Sequence, residues 1–347
     1  MYWWLQSLYA SGEMETHQVQ HTGVARFQFT KFVENTEAPL PPLPEQQAIA
    51  HILGTLDDKI ELNRRMSETL EAMARALFKS WFVDFDPVRA KQPKNVGWVS
   101  PSGRNPPDKA DGGLRDYAAN PPYELPPHIA DLFPARLVDS ELGEIPEGWE
   151  VRTLGDFSSL NPETWTKETR PAVINYLDLS NTKWGRIEAV MAYAQQDAPS
   201  RAQRVLRLRD TIVGTVRPGK GSYAFIFEDG LTGSTGFAVL RPRRLEYAEF
   251  VYVAATAAEN IEALSHLADG GAYPAVRAEV IAGTQVIRPR DDVLRGFSRV
   301  AGPLLAKMAE NERESHALAT LRDALLPKLI SGELRVKDAE RQIAQPI

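Results

Sequence analysis

One glycine-rich segment has the residues of a phosphate-binding loop. Residues 214–221, GTVRPGKG, match the pattern G-x-x-x-x-G-K, but Gly221 stands where a magnesium-binding Ser or Thr is needed. Such a loop must open a helix, because backbone N–H groups and the helix dipole then face the phosphates. The residues that follow, SYAFIF, alternate as in a strand, and Pro218 lacks one of the needed N–H donors. We therefore predict a hairpin loop, whose Arg217 and Lys220 suit contact with a nucleic-acid backbone.

A second motif has the residues of an adenine-modifying site. Residues 120–123, NPPY, form the tetrapeptide with which amino-methyltransferases hold the amino group of a target adenine. That chemistry requires the motif at the end of a buried strand, beside a glycine-rich loop for S-adenosylmethionine. The preceding residues, GGLRDYAA, do not have the pattern of a buried strand, and the sequence has no such glycine-rich loop. We interpret the motif as a turn, and we predict no catalytic residue and no cofactor.

Residues that bind metals or form covalent intermediates are few. The 347 residues include no cysteine, which excludes disulfides, thiolate metal sites and cysteine nucleophiles and fits a reducing cytoplasm. Of the six histidines, His17 and His21 are four residues apart, but no third ligand is near them in the sequence. No apolar run approaches the roughly 18 residues that a membrane span requires. We predict a cytoplasmic protein with no metal site and no membrane partner.

Arginine is concentrated in one stretch of the chain. Between residues 200 and 244, nine basic residues and three acidic residues give a local charge of nine minus three, or +6, in a chain of formal net charge −6. The forked donors of arginine suit phosphates and guanine edges. The alternative is a solvated face of strands whose arginines form salt bridges. The basic residues are Arg201, Arg204, Arg207, Arg209, Arg217, Lys220, Arg241, Arg243 and Arg244.

The first-choice DNA contacts lie in the predicted hairpin loop. They are Arg217, Lys220, Ser222 and Tyr223, followed by Arg201, Arg204 and Arg207. A glycine-flanked turn at residues 233–236, GSTG, is a weaker second choice. The sequence does not distinguish base contacts from phosphate contacts.

A long helix must follow the proline-rich run at residues 39–44. From Glu45 to Phe82 apolar residues recur at alternating spacings of four and three, which is typical of a seam for another helix. The seam residues are Ile49, Leu53, Leu56, Ile60, Asn63, Ser67, Leu70, Ala74, Leu77 and Trp81. Pro44 and Glu45 suit the first turn of this helix.

The long helical pattern occurs twice. A shift of 248 residues aligns the segment at 41–82 without a gap, with ten identical pairs in 42 positions, and places a second helix from Asp291 to about Gly332. The same shift places YWWL near the start on FVYV at residues 250–253. Residues 1–38 therefore resemble the end of a domain whose full copy lies at residues 147–287, and roughly 100 residues of the first copy are expected to be missing.

The chain is predicted to have an α+β fold in five parts. Residues 1–38 are the C-terminal remnant of a first domain, 39–82 a long helix, and 83–146 a proline-rich connection with 11 of the 25 prolines. Residues 147–287 contain short alternating runs and one helical pattern, which predicts a mixed α/β domain. Residues 288–335 hold the second long helix.

Three segments resemble one protein family. Residues 39–88, from PLPPLPEQQAIAHILGTLDDKIELNRRM to FVDFDPV, are similar to the central conserved region of specificity (S) subunits of type I restriction-modification systems. LGEIPEGWEVRTLGDF at residues 142–157 resembles the entry to the target recognition domain of such a subunit. LRDALLPKLISGEL resembles the distal conserved region.

This resemblance implies a non-catalytic DNA-reading subunit. The family implies recognition domains held apart by two antiparallel helices, with methyltransferase (M) subunits docked on the helices and, through them, the restriction (R) subunit. Double-stranded DNA is the expected ligand. The shortened first domain suggests self-association, in which a second copy restores a two-part site. The alternative is an inactive truncated remnant that acts only as a coiled-coil interaction protein.

The two long helices are predicted to pair antiparallel, as a coiled coil centred on two asparagines. Asn63 and Asn311 meet at the middle, where two facing amides can satisfy each other. The apolar pairs on either side are Leu56 with Leu318, Leu70 with Leu304, Ile49 with Leu325, and Leu77 with Phe297. The alternative is that both asparagines point to solvent.

Overall fold

A computed structural model of the chain describes residues 2–21, 24–38, 41–92, 125–166, 168–271 and 273–343. The chain divides into two compact units. The first unit comprises residues 1–70 and 307–347, and the second unit comprises residues 71–306.

Two of the helices have 40 residues each, which corresponds to a length of about 60 Å at 1.5 Å per residue. The helices are α1 (Tyr2–Ala10), α2 (Phe29–Asn35), α3 (Leu43–Phe82), α4 (Asp86–Arg89), α5 (Pro127–Ala130), α6 (Leu154–Phe157), α7 (Ala248–Ala255), α8 (Ala258–Leu267), α9 (Ala278–Ala282), α10 (Asp291–Ile330) and α11 (Val336–Ile343).

Helix α3 starts two residues earlier than the sequence pattern indicates. Leu43 opens the helix, so Pro44 lies in the first turn, where its missing N–H has no cost. Gln46 donates a side-chain hydrogen bond to Pro41 O at 2.8 Å across the start of the helix. Glu45 adds a negative charge near the positive end of the helix dipole.

In the first unit, α3 and α10 pack together along apolar residues. Ile49, Leu53 and Leu56 of α3 share one buried cluster with Leu318 and Leu325 of α10. Later residues of α3 face earlier residues of α10, so the two helices run antiparallel in this unit. Trp3 of α1 and Ala339 of α11 pack against the same cluster. This unit also contains a 3-10 helix (Glu13–His17), α2 and the antiparallel pair β1 (Gln18–His21) and β2 (Val24–Phe27).

The second unit contains two four-stranded sheets, ordered β10-β7-β14-β11 and β13-β12-β15-β6. Strands β7 and β14 are parallel, and the other neighbours within these sheets are antiparallel. The strands are β3 (Leu137–Ser140), β4 (Gly143–Pro146), β5 (Glu150–Thr153), β6 (Ser158–Leu160), β7 (Val173–Leu177), β8 (Thr182–Lys183), β9 (Arg186–Ile187), β10 (Met191–Ala194), β11 (Ala202–Val205), β12 (Thr211–Gly214), β13 (Tyr223–Phe225), β14 (Leu231–Ser234), β15 (Phe237–Pro242) and β16 (Gln285–Arg288).

The core of the second unit lies where the sheets meet α7. Ile212 of β12 is paired with Val239 of β15, and both are buried with Leu206 and Phe237. All eight residues of α7 are buried, and Glu249 is the one charged residue among them. Phe250 of α7 packs 5.0 Å from the ring of Phe157. This core holds β12 and β13 in place and so fixes the loop between them.

The ends of the proline-rich connection are packed in the second unit. Phe133 lies edge-on against Trp81 at a ring distance of 5.0 Å, and Ile145 of β4 is buried. The NPPY motif at residues 120–123 lies outside the described residues. The predicted fold class is confirmed, since a mixed α/β unit is combined with two long, packed helices. Among the described helices, none combines the length and apolar content that a bilayer crossing requires.

Candidate nucleic-acid interface

The glycine-rich segment joins β12 to β13, which pair antiparallel. A single 3-10 turn, Pro218–Lys220, lies between Arg217 and Gly221, whose φ angles are 48° and 68°. The N–H of Lys220 donates to Arg217 O at 2.8 Å and closes the turn. A strand follows this segment, so the hairpin prediction is confirmed and the segment opens no phosphate-binding helix.

The hairpin loop exposes two basic side chains. Arg217 and Lys220 are both exposed. The backbone N–H of Arg217 donates to Pro274 O at 2.7 Å, which ties the loop to the segment at 268–277. The guanidinium carbon of Arg217 lies 4.4 Å from the ring centroid of Tyr273, within the range of a cation–π contact. The arginine is therefore held in a defined direction by an aromatic neighbour.

The other two first-choice residues, Ser222 and Tyr223, are buried. Ser222 is 8% exposed, and its hydroxyl donates to Leu179 O at 3.0 Å. Tyr223 is 5% exposed, and burial raises the pKa of its hydroxyl. The second-choice turn at residues 233–236 is also largely internal, because Ser234 is fully buried. These side chains lie on the inner side of the loop, where they support it.

Within the described part of the chain, salt bridges are formed by Arg207, Arg209, Arg241 and Arg244. Arg241 holds the fully buried Asp210 through two contacts of 2.9 Å. Arg207 donates to Glu163 at 2.9 Å, and Arg241 forms a salt bridge with the same carboxylate. Arg209 pairs with Glu249 at 3.4 Å, and Arg244 pairs with Asp291 at 2.7 Å. These four arginines fit the alternative given above, in which arginines on a solvated face of strands form salt bridges.

Arg201 and Arg204 have different surroundings. Arg201 is exposed on the segment that precedes β11. Arg204 is partly buried, and burial lowers the pKa of its guanidinium. One of its nitrogens lies 3.4 Å from the hydroxyl of Thr164, while its buried Nε has no hydrogen-bond partner among the described residues.

Two exposed aromatic residues beside the hairpin loop were not selected from the sequence. Trp184 is 55% exposed and Tyr273 is 69% exposed. The backbone N–H of Trp184 donates to Gly221 O at 2.6 Å, so the indole is fixed next to the loop. The segment KWGR, with a basic residue on each side of Trp-Gly, is a signal that could have identified Trp184.

A half-buried polar network lies beneath this surface in the second unit. Arg75 of α3 donates to Glu71 at 2.6 Å and to the hydroxyl of Thr256 at 3.0 Å. The guanidinium of Arg75 lies 5.8 Å from the ring centroids of Tyr223 and Tyr252. Burial alone would lower the pKa of Arg75, but the neighbouring tyrosines and Glu71 raise it. The network connects a charged pair on α3 to the inner end of β13.

Most of the predicted helix-pairing residues lie in the helix core. Leu56, Leu318, Leu325, Leu77 and Phe297 are buried. Leu70 and Leu304 are each partly buried. The α3 rings that pack on Phe297 in the second unit, at centroid distances of 5.2 to 6.1 Å, are those of Phe78, Trp81 and Phe82.

The two central asparagines are buried and adjacent, but their amides do not satisfy each other. Asn63 donates to Glu314 at 2.7 Å and, more weakly, to the backbone oxygen of Asn311 at 3.5 Å. Asn311 donates instead to the hydroxyl of Ser67 at 3.3 Å. The expected amide–amide pair is therefore replaced by contacts to a carboxylate and a hydroxyl.

The histidines have no metal-like arrangement in the part of the chain that the structure describes. His17 packs edge-on against Phe32 at a ring distance of 5.3 Å. No group of three or more His, Cys, Asp and Glu residues among the described positions could hold a metal ion.

Comparison with known proteins finds a family profile, two curated relatives and a solved structure that are similar to this chain. Residues 5–72 match the family profile described as "Type I restriction modification DNA specificity domain". The HindI type I restriction enzyme specificity subunit of Haemophilus influenzae is 27% identical over 334 residues, which cover 87% of this chain and 70% of that protein. The MjaIX specificity subunit of Methanocaldococcus jannaschii is 25% identical over 317 residues, which cover 88% of this chain and 62% of that protein. The crystal structure of the type I restriction-modification S subunit from M. genitalium is 15% identical with a TM-score of 0.48, and the likeness covers 94% of this chain and 71% of that one.

Proposed function

We propose that this chain, which belongs to the family of specificity (S) subunits of type I restriction-modification systems, recognises a DNA sequence through the domain at residues 147–287. The observation that carries the proposal is the exposed β12–β13 loop, where Arg217 and Lys220 face outward beside exposed Trp184 and Tyr273. Basic side chains next to aromatic ones are typical of nucleic-acid surfaces. The subunit itself has no catalytic role.

Arg217 and Lys220 are the first proposed contacts with the duplex. Both are exposed on one short loop, so they can approach the same groove or the same strand. Arg201, Arg204 and Arg207 are secondary choices. Arg207 must exchange its bond to Glu163 for a DNA contact, and Arg204 is partly buried. Ser222 and Tyr223 act as internal supports of the loop.

The test is the salt dependence of DNA binding by the full chain assembled with methyltransferase subunits. Changing Arg217 and Lys220 together to Ala should weaken binding and reduce the slope of log affinity against log salt by about one to two. The matched control changes Arg152 and Arg290 to Ala, which removes the same charge from exposed positions of the second unit. An unchanged affinity and slope in the Arg217 and Lys220 variant would remove this loop from the interface.

We propose further that methyltransferase subunits dock on α3 and α10, and that the restriction subunit assembles through them. Leu62 and Met73 of α3 are half-exposed apolar residues that suit such contacts. Sedimentation of the chain with and without methyltransferase subunits tests the docking. A complex that forms but enriches no sequence from random DNA would instead support the alternative, an inactive coiled-coil interaction protein.

Self-association is proposed as the source of a second recognition domain. Within the 248-residue repeat, the domain is predicted at full length at residues 147–287, and two chains related by a twofold axis would read a palindromic two-part target. The curated relatives in the comparison are longer, since the chain spans 62% to 70% of their lengths. A complex with one copy of this chain on an asymmetric two-part target would exclude the pairing.

A further inference from the structure

Trp184 occupies an unusual position in the second unit. Strands β8 and β9 pair with Lys183 opposite Arg186, so Trp184 and Gly185 form the two-residue turn between them. Both residues have positive φ angles, 49° and 82°. Positive φ at both positions is the signature of a type I′ turn, where Asn-Gly is the favoured sequence. A bulky residue at the first position is a genuine outlier, and such outliers cluster at functional sites.

The indole of Trp184 is held flat against the neighbouring hairpin loop. A Cβ added to Gly221 would lie 2.5 to 2.7 Å from the fused-ring atoms of the indole, so only glycine lets the ring approach this closely. On the inner side, a Cβ on Gly185 would lie 2.7 Å from the hydroxyl of Tyr252. The turn is thus clamped between the loop and the polar network of Arg75, and the indole still remains 55% exposed. One face of the ring is packed, and the rest is presented outward.

Positive charge is concentrated in the turn that carries the indole, in the hairpin loop beside it and in the segment tied to that loop through Arg217. Residues 181–188, 215–222 and 268–277 contain five basic and two acidic residues, or a net +3 from five minus two. Helix α8, which packs against the turn Pro218–Lys220, adds Glu259 and Glu262, so the positive charge is confined to the loops. In a DNA groove, the edges of the bases lie between two phosphate backbones. A flat, fixed apolar surface flanked by basic groups can therefore contact the apolar part of a base edge while the basic groups face phosphates.

We propose that Trp184 is a specificity-determining residue that contacts the C5-methyl group of a thymine in the major groove. The inference rests on the proposed DNA recognition by this domain. The thymine methyl group is the apolar feature of the major groove, and apolar side chains read it by contact. An indole packed closely against Gly221 suits this contact better than insertion between base pairs, which requires a side chain that enters the stack.

The test uses the full chain assembled with methyltransferase subunits and a library of random duplex DNA. If the wild-type complex enriches no sequence, the proposed function fails, whatever Trp184 does. If it enriches one, each thymine of the selected duplex is replaced in turn by deoxyuridine, which lacks the methyl group. One replacement should weaken wild-type binding about fourfold, the value of one buried methyl group. A selected duplex without thymine would contradict the inference.

The informative variant is Trp184→Asn, because asparagine suits the first position of this turn. This variant should unfold at no lower temperature than the wild type. Its preference for the selected over a scrambled duplex should fall about tenfold or more. The deoxyuridine replacement that weakens wild-type binding should no longer affect its binding. Trp184→Phe should keep part of the preference. Leu245→Ala, at another exposed apolar residue of the second unit, is the control that should change neither property.

Two results would overturn the inference. Full sequence preference in Trp184→Asn would show that the indole reads nothing. A lower unfolding temperature, with equal losses of affinity for selected and scrambled duplex and an unchanged deoxyuridine response, would show that Trp184 only supports the loop.

Discussion

The amide nitrogen of Asn63 lies 2.7 Å from a carboxylate oxygen of Glu314 and joins α3 to α10 inside the first unit. This hydrogen bond, with help from Lys59, lowers the pKa of Glu314. The amide oxygen of Asn63 is buried and has no partner among the described residues. The centre of the helix pair is therefore only partly satisfied, and a polar residue there favours one register at a cost in stability.

Replacing Asn63 with Leu should raise the free energy of unfolding by about 1 kcal/mol, because the unpartnered buried oxygen is removed and apolar area is gained. Glu314 is partly exposed, so water can replace the lost amide. The measurement is urea unfolding of the full chain. Glu314→Gln, which keeps an acceptor for the amide, is the control and should change little. A lower denaturation midpoint for Asn63→Leu would contradict the interpretation.

Leu56→Ala should lower the free energy of unfolding by about 2–5 kcal/mol, since it opens a cavity in the α3–α10 cluster. Leu62→Ala makes the same substitution on the same helix at a half-exposed position, and we expect it to change stability by less than about 0.5 kcal/mol. Equal effects in chemical denaturation would show that the cluster does not hold the helices together.

Arg241→Ala should destabilise the protein by about 3–5 kcal/mol, because it leaves the carboxylate of Asp210 buried without its cation. Lys220→Ala, at an exposed position of the hairpin loop, should leave the unfolding midpoint within about 0.5 kcal/mol of the wild type. The two variants distinguish a basic residue that stabilises the fold from an exposed one on the hairpin loop. A stable Arg241→Ala protein would mean that the buried pair is dispensable.

Glu249 should make the stability of the second unit depend on pH. Burial raises the pKa of this carboxyl, whose neighbours are Arg209, Ser298 and Gly302. A raised folded pKa means that the folded state holds the proton more tightly. The stabilising contribution is therefore full below the unfolded pKa and is lost as pH rises through the folded pKa.

Glu249→Gln should remove that loss, so its unfolding midpoint should fall less than that of the wild type between about pH 4 and pH 8. Urea titrations at a series of pH values measure the difference. Parallel curves for the two proteins would show that Glu249 does not titrate differently in the folded state.

The long helices could be predicted from the sequence because their signals are local. The four-three spacing and the 248-residue repeat gave α3 to within two residues at its start and placed the first residue of α10 at Asp291. Spacing also indicated that Asn63 and Asn311 belong to the seam. It did not reveal that Glu314 would accept a hydrogen bond from the amide of Asn63. Glu314 lies about one turn from Asn311 and takes the place of the facing amide as acceptor.

The exposed part of the candidate site was harder to predict, because burial and pairing depend on distant residues. Tyr223 is covered by Arg75, which is 148 residues away in the sequence. Arg241 and Arg207 are engaged by Glu163, which precedes the arginine-rich stretch. Charge density in one segment therefore drew attention to a domain with an exposed basic loop, but did not show which of its arginines face outward.

The central claim is tested most directly by selection from random duplex DNA. The selection uses the full chain assembled with methyltransferase subunits and compares the wild type with the Arg217→Ala, Lys220→Ala double variant. The wild type should enrich a defined sequence, and the double variant should lose positions from it or bind it with a salt slope smaller by about one to two. A wild-type complex that enriches no sequence, or a double variant with the same sequence and the same slope, would contradict DNA recognition through this loop.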